Sequence, residues 1–231
     1  PNGAGKTTAF NVVSGFVTPI SGAVRLFGAD VTAVPVHERT ALGVGRTFQV
    51  LQMFPDVTVF ENLLVAAHLH SDIGVLSQLF VTGRSLEAER EARQTVRETL
   101  HLIGLDAVAD TPAGDLPFGT LRIVDIGRAL MTGSRLLLLD EPASGLDERE
   151  TDRLAELVQM IRTELGRAIL LVEHDVRFVT GLSDVIYVLD QGTIISSGTP
   201  SQVREDPAVI AAYLGESPTQ EGHEVLRAQT P

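Results

Sequence analysis

The chain has 231 residues, of which 44% are hydrophobic and 21% are charged, and this composition is typical of a folded globular protein with a substantial core. Its 30 acidic and 18 basic residues give a formal net charge of −12, which argues against binding of nucleic acid or an anionic membrane through an extended basic face. Cysteine is absent, so disulfides, thiol catalysis and cysteine-ligated metals are excluded. No apolar run approaches the roughly 20 residues that a membrane-spanning helix needs.

The first residues form a glycine-rich segment that leads into a predicted helix. The sequence PNGAGKTT supplies all of the phosphate-loop motif G-x-x-x-x-G-K-[ST] except its first glycine. In such a loop, Gly3 and Gly5 let backbone N–H groups turn towards phosphates at the positive end of the helix. Lys6, the only lysine of the chain, would meet the charge of the β- and γ-phosphates, and the Thr7 hydroxyl would bind Mg²⁺. The predicted nucleotide-binding residues are Asn2, Gly3, Ala4, Gly5, Lys6, Thr7 and Thr8.

The alternative interpretation of this segment is an ordinary glycine-rich helix start. The missing glycine would stand immediately before Pro1, so we expect the sequence to belong to a longer protein. We also expect a chain that begins at Pro1 to bind nucleotide weakly. On the helix that follows, Phe10, Val13 and Phe16 are expected on the buried side.

Short strands and then a helical region come next. GAVRLFGAD and VGRTFQ are strand candidates bounded by Gly and Asp, and the pattern is helical from about Val59 to Gly127. Within that region SLEAEREARQTVRETLHLIGL begins with Ser85 as a helix cap and ends at Gly104. Its apolar stripe, which predicts a buried helix face, consists of Val96, Leu100 and Ile103.

Two apolar segments, RLLLLDEP and AILLVEHD, are separated by the helical stretch DERETDRLAELVQMIRTEL. Strands that are apolar on both faces and alternate with helices indicate a parallel sheet covered on both sides. Asp140 and Glu141 end the first of these strands, at the edge where open α/β sheets bind ligands. There Asp140 would hold Mg²⁺ through its water shell, while Glu141 would orient and deprotonate an attacking water. The alternative is a pair of acidic residues that caps a strand or begins a helix.

For the C-terminal part, turn residues and apolar patterns predict a hairpin followed by helices. VIYVLDQGTIISSG predicts a hairpin with DQG at its turn, and TPSQVREDPAVIAAYLG predicts a closing helical piece. From Glu216 on, the polar composition predicts a disordered tail. Together the elements predict an α/β core that is interrupted by a helical insertion.

In this order the motifs resemble those of the nucleotide-binding subunit of ABC transporters, from Pro1 to about Gly215. The likeness is to importer ATPases of the branched-chain amino acid type. GRTFQVLQMFPDVTVFENLLVA resembles that group's glutamine-loop region, and TPSQVREDPAVIAAYLGE resembles its C-terminal ending. The resemblance implies an α/β fold with a P-loop NTPase core of the ABC type in residues 1–56 and 128–215. It also implies an inserted helical subdomain in residues 57–127, with residues 216–231 as a tail.

The resemblance also implies roles for single residues. Gln49 would be the loop glutamine that contacts Mg²⁺ and the attacking water and senses the membrane subunit. Asp147, in ASGLD, would lie in the loop that communicates across a dimer, with a plain helix cap as the alternative. His174, at the end of LLVEH, would contact the γ-phosphate, with a structural histidine as the alternative.

LPFGT stands where the family has its signature L-S-G-G-Q, whose serine hydroxyl and glycine amides bind the γ-phosphate of ATP held by the opposite subunit. Pro117 replaces the serine, and proline has neither a hydroxyl nor an N–H group. The helix N-terminus remains, and Thr120 could cap it or reach the phosphate. The predicted signature residues are Leu116, Pro117, Phe118, Gly119 and Thr120.

By resemblance, the chain is expected to be an ATPase that uses ATP and Mg²⁺ and dimerises head to tail with an identical or paralogous subunit. It would drive a separate membrane permease from the cytoplasmic face of the membrane, with an extracytoplasmic solute-binding protein in the same system and no nucleic-acid partner. Branched-chain or other hydrophobic amino acids are the expected cargo, and urea or short amides are the second choice. The alternatives are a non-transport ABC ATPase and, because of Pro117 and the missing first glycine and strand, a non-hydrolysing regulatory module.

Overall fold

The computed structural model of the chain describes residues 3–70 and 83–214. Contacts in this part group residues 3–9 with 174–214 as a smaller unit, and residues 10–70 with 83–173 as a larger unit. The predicted nucleotide-binding residue Asn2, residues 71–82 of the predicted helical subdomain and the predicted tail 216–231 lie outside the described residues.

The chain alternates helices and short strands. Helix α1 begins in the smaller unit and continues into the larger one. In chain order the elements are α1 (Lys6–Ser14), β1 (Arg25–Leu26), β2 (Ala29–Asp30), α2 (Val36–Ala41), β3 (Val44–Arg46), α3 (Val59–His70), α4 (Gly83–Leu102), α5 (Phe118–Met131), β4 (Leu136–Asp140), α6 (Glu148–Thr163), β5 (Ala168–Val172), α7 (Val176–Leu182), β6 (Ile186–Asp190), β7 (Thr193–Gly198), α8 (Pro200–Glu205) and α9 (Pro207–Leu214).

The two apolar segments form parallel neighbours in a sheet of order β3-β4-β5, which confirms the predicted pairing. In the central strand β4, Leu137, Leu138 and Leu139 are completely buried. In β5, by contrast, Leu170 is 38% exposed. The prediction of strands covered on both sides is therefore right for β4 and wrong for β5, which lies at the end of the strand order in the described part of the chain.

The core of the larger unit joins α1 to the strands. Phe10 packs with Leu26 and Leu138 in a buried cluster, and Val13 lies against that cluster, as expected from the helix periodicity. Phe16 is 53% exposed, so its predicted burial is wrong. The reason is that α1 ends at Ser14 and the following Gly15, at φ +89°, turns the chain away from the helix.

Two antiparallel hairpins turn on pairs of residues with positive φ. The predicted DQG hairpin is confirmed as β6–β7, with Gln191 and Gly192 at φ +46° and +79°. GAVRLFGAD is not one strand but the hairpin β1–β2, because Phe27 and Gly28 lie at φ +53° and +86°. Two consecutive left-handed residues are the geometry of the tight hairpin turn that matches the twist of the strands.

Helices α3, α4 and α5 pack against one another. The predicted burial of the apolar stripe is confirmed, since Val96 and Leu100 on α4 and Ile103 directly after it are at most 4% exposed. The predicted Ser85 cap is wrong, because the helix begins two residues earlier, at Gly83. None of the helices within residues 3–70 and 83–214 is long and apolar enough to cross a bilayer.

Candidate functional site

The glycine-rich loop of the smaller unit ends at the N-terminus of α1. Gly3 and Gly5 have φ values of +72° and +93°, so both positions favour glycine for its backbone conformation. The first turn of α1 contains no acidic residue, and its N–H groups and helix dipole favour an anion. The backbone carbonyl of Ala4 accepts a 3.0 Å hydrogen bond from the N–H of Gly192, which holds the loop against the β6–β7 turn.

In the larger unit the structure brings Gln49 and Glu141 together. The Nε2 amide of Gln49 donates a 3.1 Å hydrogen bond to Oε2 of Glu141. Glu141 follows the last residue of β4 and has φ +46°, a left-handed conformation that costs a non-glycine residue about 1 kcal/mol or more. Its N–H donates a 2.9 Å hydrogen bond to the carbonyl of Val172 in β5. The neighbouring strand therefore supports the strained backbone of this carboxylate residue.

Asp140 has a buried cation as its partner. Nη2 of Arg46 lies 3.1 Å from Oδ2 of Asp140, and both side chains are at most 9% exposed. The other terminal nitrogen of Arg46 donates 2.8 Å hydrogen bonds to Asn11 and Ser14. An opposite charge at this distance offsets the cost of burying the carboxylate. Sequence reasoning missed Arg46, whose only signal in the sequence is a charge within a predicted short strand.

Glu173 is a second residue that sequence reasoning missed. It directly follows β5, is 9% exposed, and accepts a 2.8 Å hydrogen bond from the N–H of Ala143. The bond ties the end of β5 to the loop that carries Glu141. The signal in the sequence is an acidic residue at the end of an apolar strand, immediately before His174.

His174 is exposed and belongs to the smaller unit. It precedes Asp175, whose carboxylate caps α7 by accepting a 3.1 Å hydrogen bond from the N–H of Phe178. Asp147 is likewise a helix cap, because it begins α6 in a reciprocal capping box with Glu150. The helix-cap alternative for Asp147 thus describes its local contacts, and the dimer role stays a prediction.

The signature segment forms the start of α5. Pro117 is the N-cap and makes no side-chain hydrogen bond, and the helix begins at Phe118. Thr120 is the third residue of the helix, so the expectation that it could cap the helix is wrong. The first turn contains no acidic residue, and its N–H groups lack acceptors within the helix. A Cβ atom on Gly119 would overlap the carboxylate of Glu150.

Charged residues of α5 hold the backbone around Gln49. Arg122 donates to the carbonyls of Phe48 and Gln49 at 3.1 and 3.0 Å. Arg128 donates to the carbonyl of Gln52. Between the two arginines lies Asp125, whose pKa is raised to about 6 because burial disfavours its charged form. Sequence reasoning missed these residues, although charges at every third position of the otherwise apolar LRIVDIGRALM signal buried polar contacts.

The donor groups of the larger unit fit one kind of metal ion. Within the described ranges, no three His, Cys, Asp or Glu side chains are grouped so that they could hold a metal ion by themselves. Magnesium usually keeps several waters and takes one or two carboxylates together with phosphate oxygens of a substrate. In the larger unit, the carboxylate of Asp140 and the amide oxygen of Gln49 supply that type of donor. They therefore fit an ion that arrives with a nucleotide better than one held in an all-protein cage.

Comparison with known proteins identifies the family. The family model described as ABC transporter matches residues 1–144, and the one described as branched-chain amino acid ATP-binding cassette transporter matches residues 193–218. The chain is 44% identical over 217 residues to the high-affinity branched-chain amino acid transport ATP-binding protein BraF of Pseudomonas aeruginosa. It is 43% identical over 217 residues to the corresponding protein LivG of Escherichia coli K12. Each alignment covers 94% of this chain and 85% of the relative.

A solved structure agrees with the sequence relatives. The ADP conformation of MJ1267, an ATP-binding cassette of an ABC transporter, matches with a TM-score of 0.80 at 31% identity, over 94% of this chain and 85% of that one. The predicted P-loop NTPase fold of the ABC type and the predicted ATPase class are thereby confirmed. The chain belongs to the ABC transporter ATP-binding family, and its sequence is similar to that family's branched-chain amino acid transport members.

Proposed function

We propose that the chain is the ATP-hydrolysing subunit of an ABC importer. The observation that carries this proposal is the 3.1 Å hydrogen bond between Gln49 and Glu141. It joins a loop amide to a strained carboxylate residue at the carboxyl end of a buried parallel strand, which is the edge where α/β sheets bind their ligands. Strain at such a position is common where a side chain is held for chemistry.

Each site residue then has a defined task. Glu141 is the general base that takes a proton from the attacking water, and Gln49 fixes the orientation of that carboxylate. His174 donates a hydrogen bond to the γ-phosphate, and residues 2–8 bind the phosphates through backbone N–H groups and Lys6. Thr7, Gln49 and Asp140 would hold Mg²⁺, which supplies neutralisation of phosphate charge when it is bound.

The head-to-tail dimer completes the site. The N-terminus of α5, with residues 116–120, reads the γ-phosphate of the nucleotide bound to the opposite subunit, and Asp147 lies in the loop that communicates between the subunits. The other backbone N–H groups of this segment bind the phosphate, because Pro117 offers neither a hydroxyl nor an N–H group. The catalytic core is residues 1–56 and 128–215, and residues 57–127 form the helical subdomain.

The similarity to BraF and LivG supports the transport assignment. The chain works at the cytoplasmic face of the membrane, bound to a separate permease and supplied by an extracytoplasmic solute-binding protein. Branched-chain amino acids, or other hydrophobic amino acids, are the proposed cargo. Uptake of radiolabelled leucine and of urea by cells that express the complete system distinguishes this cargo from the small-amide alternative.

A substitution at Glu141 tests the hydrolytic function. Glu141→Gln should abolish turnover and trap ATP-bound dimers, which are detected by size-exclusion chromatography with ATP. Glu156→Gln, on the exposed face of α6, is the matched control and should behave like the wild type. Unchanged ATPase activity and no trapped dimer in Glu141→Gln would favour a non-hydrolysing module and refute the proposal.

A further inference from the structure

A cluster of charged residues on α5, two of them buried, lies against the backbone that carries Gln49. We define the α5 cluster as Arg122, Asp125 and Arg128, and the glutamine loop as residues 48–52. The cluster members lie three residues apart on one face of α5, and Arg122 and Asp125 are at most 9% exposed. Charged side chains buried to this extent need hydrogen-bond partners.

Arg122 binds two consecutive carbonyls of the glutamine loop. Its Nη1 donates to Phe48 at 3.1 Å and its Nη2 donates to Gln49 at 3.0 Å. The planar guanidinium can donate to two neighbouring acceptors at once, whereas a lysine ammonium is a single rotatable point charge. Because the carbonyl of Gln49 is itself one acceptor, the backbone position of Gln49 is fixed directly by α5.

Arg128 and Asp125 extend the contact along the loop. Arg128 donates to the carbonyl of Gln52, and its Nη1 lies 3.8 Å from Oδ1 of Asp125. The loop is thus held at three carbonyls by two arginines. If the loop moved away, the buried Arg122 would lose both of its acceptors in a place that water reaches poorly, which makes the observed loop conformation the favoured one.

The cluster also connects the signature segment to Glu141. The ring of Phe118, in the first turn of α5, lies 5.0 Å from the guanidinium carbon of Arg122, within the range of a cation–π contact. Arg122 holds Gln49, and the side chain of Gln49 donates to Glu141 at 3.1 Å. A continuous series of contacts therefore runs from the signature helix to the carboxylate.

We propose that Arg122 and Arg128 are positioning residues that fasten the glutamine loop to the signature helix and thereby hold Gln49 against Glu141. Turnover then depends on these two arginines through the alignment of Gln49. The consequence for turnover rests on the function proposed above, whereas the fastening of the loop does not.

Loop mobility tests the fastening without any need for catalysis. The chain has no cysteine, so a single spin label can be placed at Val50→Cys, where the side chain is 75% exposed. Glu156→Cys, on α6, is the reference site. Arg122→Gln and Arg128→Gln should each increase the mobility of the label at residue 50 and leave the label at residue 156 unchanged. Arg122→Lys should give an intermediate mobility, since lysine reaches one carbonyl at a time.

A buried arginine elsewhere is the matched control for loss of stability. Arg39 is 1% exposed and donates to five backbone carbonyls outside the glutamine loop. Arg39→Lys should lower the melting temperature without loosening the label at residue 50. Unchanged mobility at residue 50 in Arg122→Gln, or an equal rise at residues 50 and 156, would overturn the proposal.

Turnover tests the consequence. In Arg122→Gln, kcat should fall about 10- to 100-fold while the Kd for ATP stays within about twofold of the wild type, because only the alignment of Gln49 is lost. Arg122→Lys should recover part of that loss. A loosened loop with wild-type kcat would show that the fastening does not position Gln49 and would overturn its role in turnover. If the wild-type chain hydrolyses no ATP, the proposed function fails, and the label measurements alone uphold or overturn the fastening.

Discussion

The side-chain amide of Gln49 donates a 3.1 Å hydrogen bond to the carboxylate of Glu141, although 92 positions separate the two residues in the chain. Two features of the fold make this contact possible. Strand β4 ends at Asp140 and places Glu141 at the sheet edge, with φ +46°. Strand β3, which pairs with β4, ends at Arg46, three residues before Gln49. Parallel pairing of these strands therefore delivers both side chains to one edge of the sheet.

The first prediction concerns this contact. Gln49→Leu keeps the approximate size of the side chain but removes the donor to Glu141. We expect kcat for ATP hydrolysis to fall about 10-fold or more, with little change in the Kd for ATP, because the carboxylate loses its orientation. Gln52→Leu, the same change in the same loop at an exposed side chain, is the control. Equal kcat values for the two variants would contradict the role of the hydrogen bond.

The second prediction concerns the buried pair of Arg46 and Asp140. Arg46→Met leaves a carboxylate that is 6% exposed without its cation, so the free energy of unfolding should fall by about 3 kcal/mol or more. Arg46→Met combined with Asp140→Asn should recover part of the loss, because the unpaired charge is gone. Urea unfolding followed by circular dichroism measures both values. Full additivity of the two substitutions would show that the pair is not coupled.

Much of the fold follows from local sequence patterns, and the exceptions have tertiary causes. The apolar run of β4 and the stripe of Val96, Leu100 and Ile103 predict burial correctly because period and length are local properties. The burial of Phe16 and the coverage of β5 depend on where α1 ends and on which strand lies outermost. Neither property can be inferred from a short window of sequence.

The residues of the candidate site also fall into two groups, those that the sequence predicts and those that it does not. Gln49 and Glu141 are predicted from motifs, since the family pattern fixes residue type and order. The roles of Arg46 and Arg122 are not predicted, because they arise from contacts with residues 94 and 73 positions away in the chain. In the sequence, a side chain with so distant a partner is only a charge within an apolar element. The pattern indicates that the charge needs a partner, but it does not reveal which residue that partner is.

The third prediction explains why residue 119 is glycine. A Cβ atom there would overlap the carboxylate of Glu150, which also forms the capping box with Asp147. Gly119→Ala should push that carboxylate away and lower the free energy of unfolding by about 1 kcal/mol, the usual value of an N-terminal cap. In a Glu150→Ala background the same substitution should cost clearly less. A cost of Gly119→Ala that is independent of residue 150 would exclude this explanation.

The fourth prediction is a dependence of stability on pH. The pKa of Asp125 is raised from 3.8 to about 6, chiefly by burial. The folded state therefore binds more protons than the unfolded state between about pH 4 and pH 6, and stability from this group is present below pH 4 and lost as the pH rises. Relative to Asp125→Asn, which does not titrate there, the wild type should lose about 3 kcal/mol of unfolding free energy between pH 4 and pH 7. Parallel stability curves for the two proteins would argue against the raised pKa.

The fifth prediction returns to the signature segment. Pro117 caps α5 without a side-chain hydrogen bond, so Pro117→Ser adds both a hydroxyl and an N–H group at the helix start. The Kd for ATP of the isolated chain should stay nearly unchanged, because this residue would face the nucleotide of the opposite subunit. Hydrolysis that depends on the dimer should change, since the new hydroxyl either contacts the γ-phosphate or caps α5, which is worth about 1 kcal/mol.

Pro112→Ser, at an exposed proline outside α5, controls for loss of proline rigidity. Turnover with the permease present measures the effect, and identical rates for wild type and Pro117→Ser would remove residue 117 from the nucleotide contact.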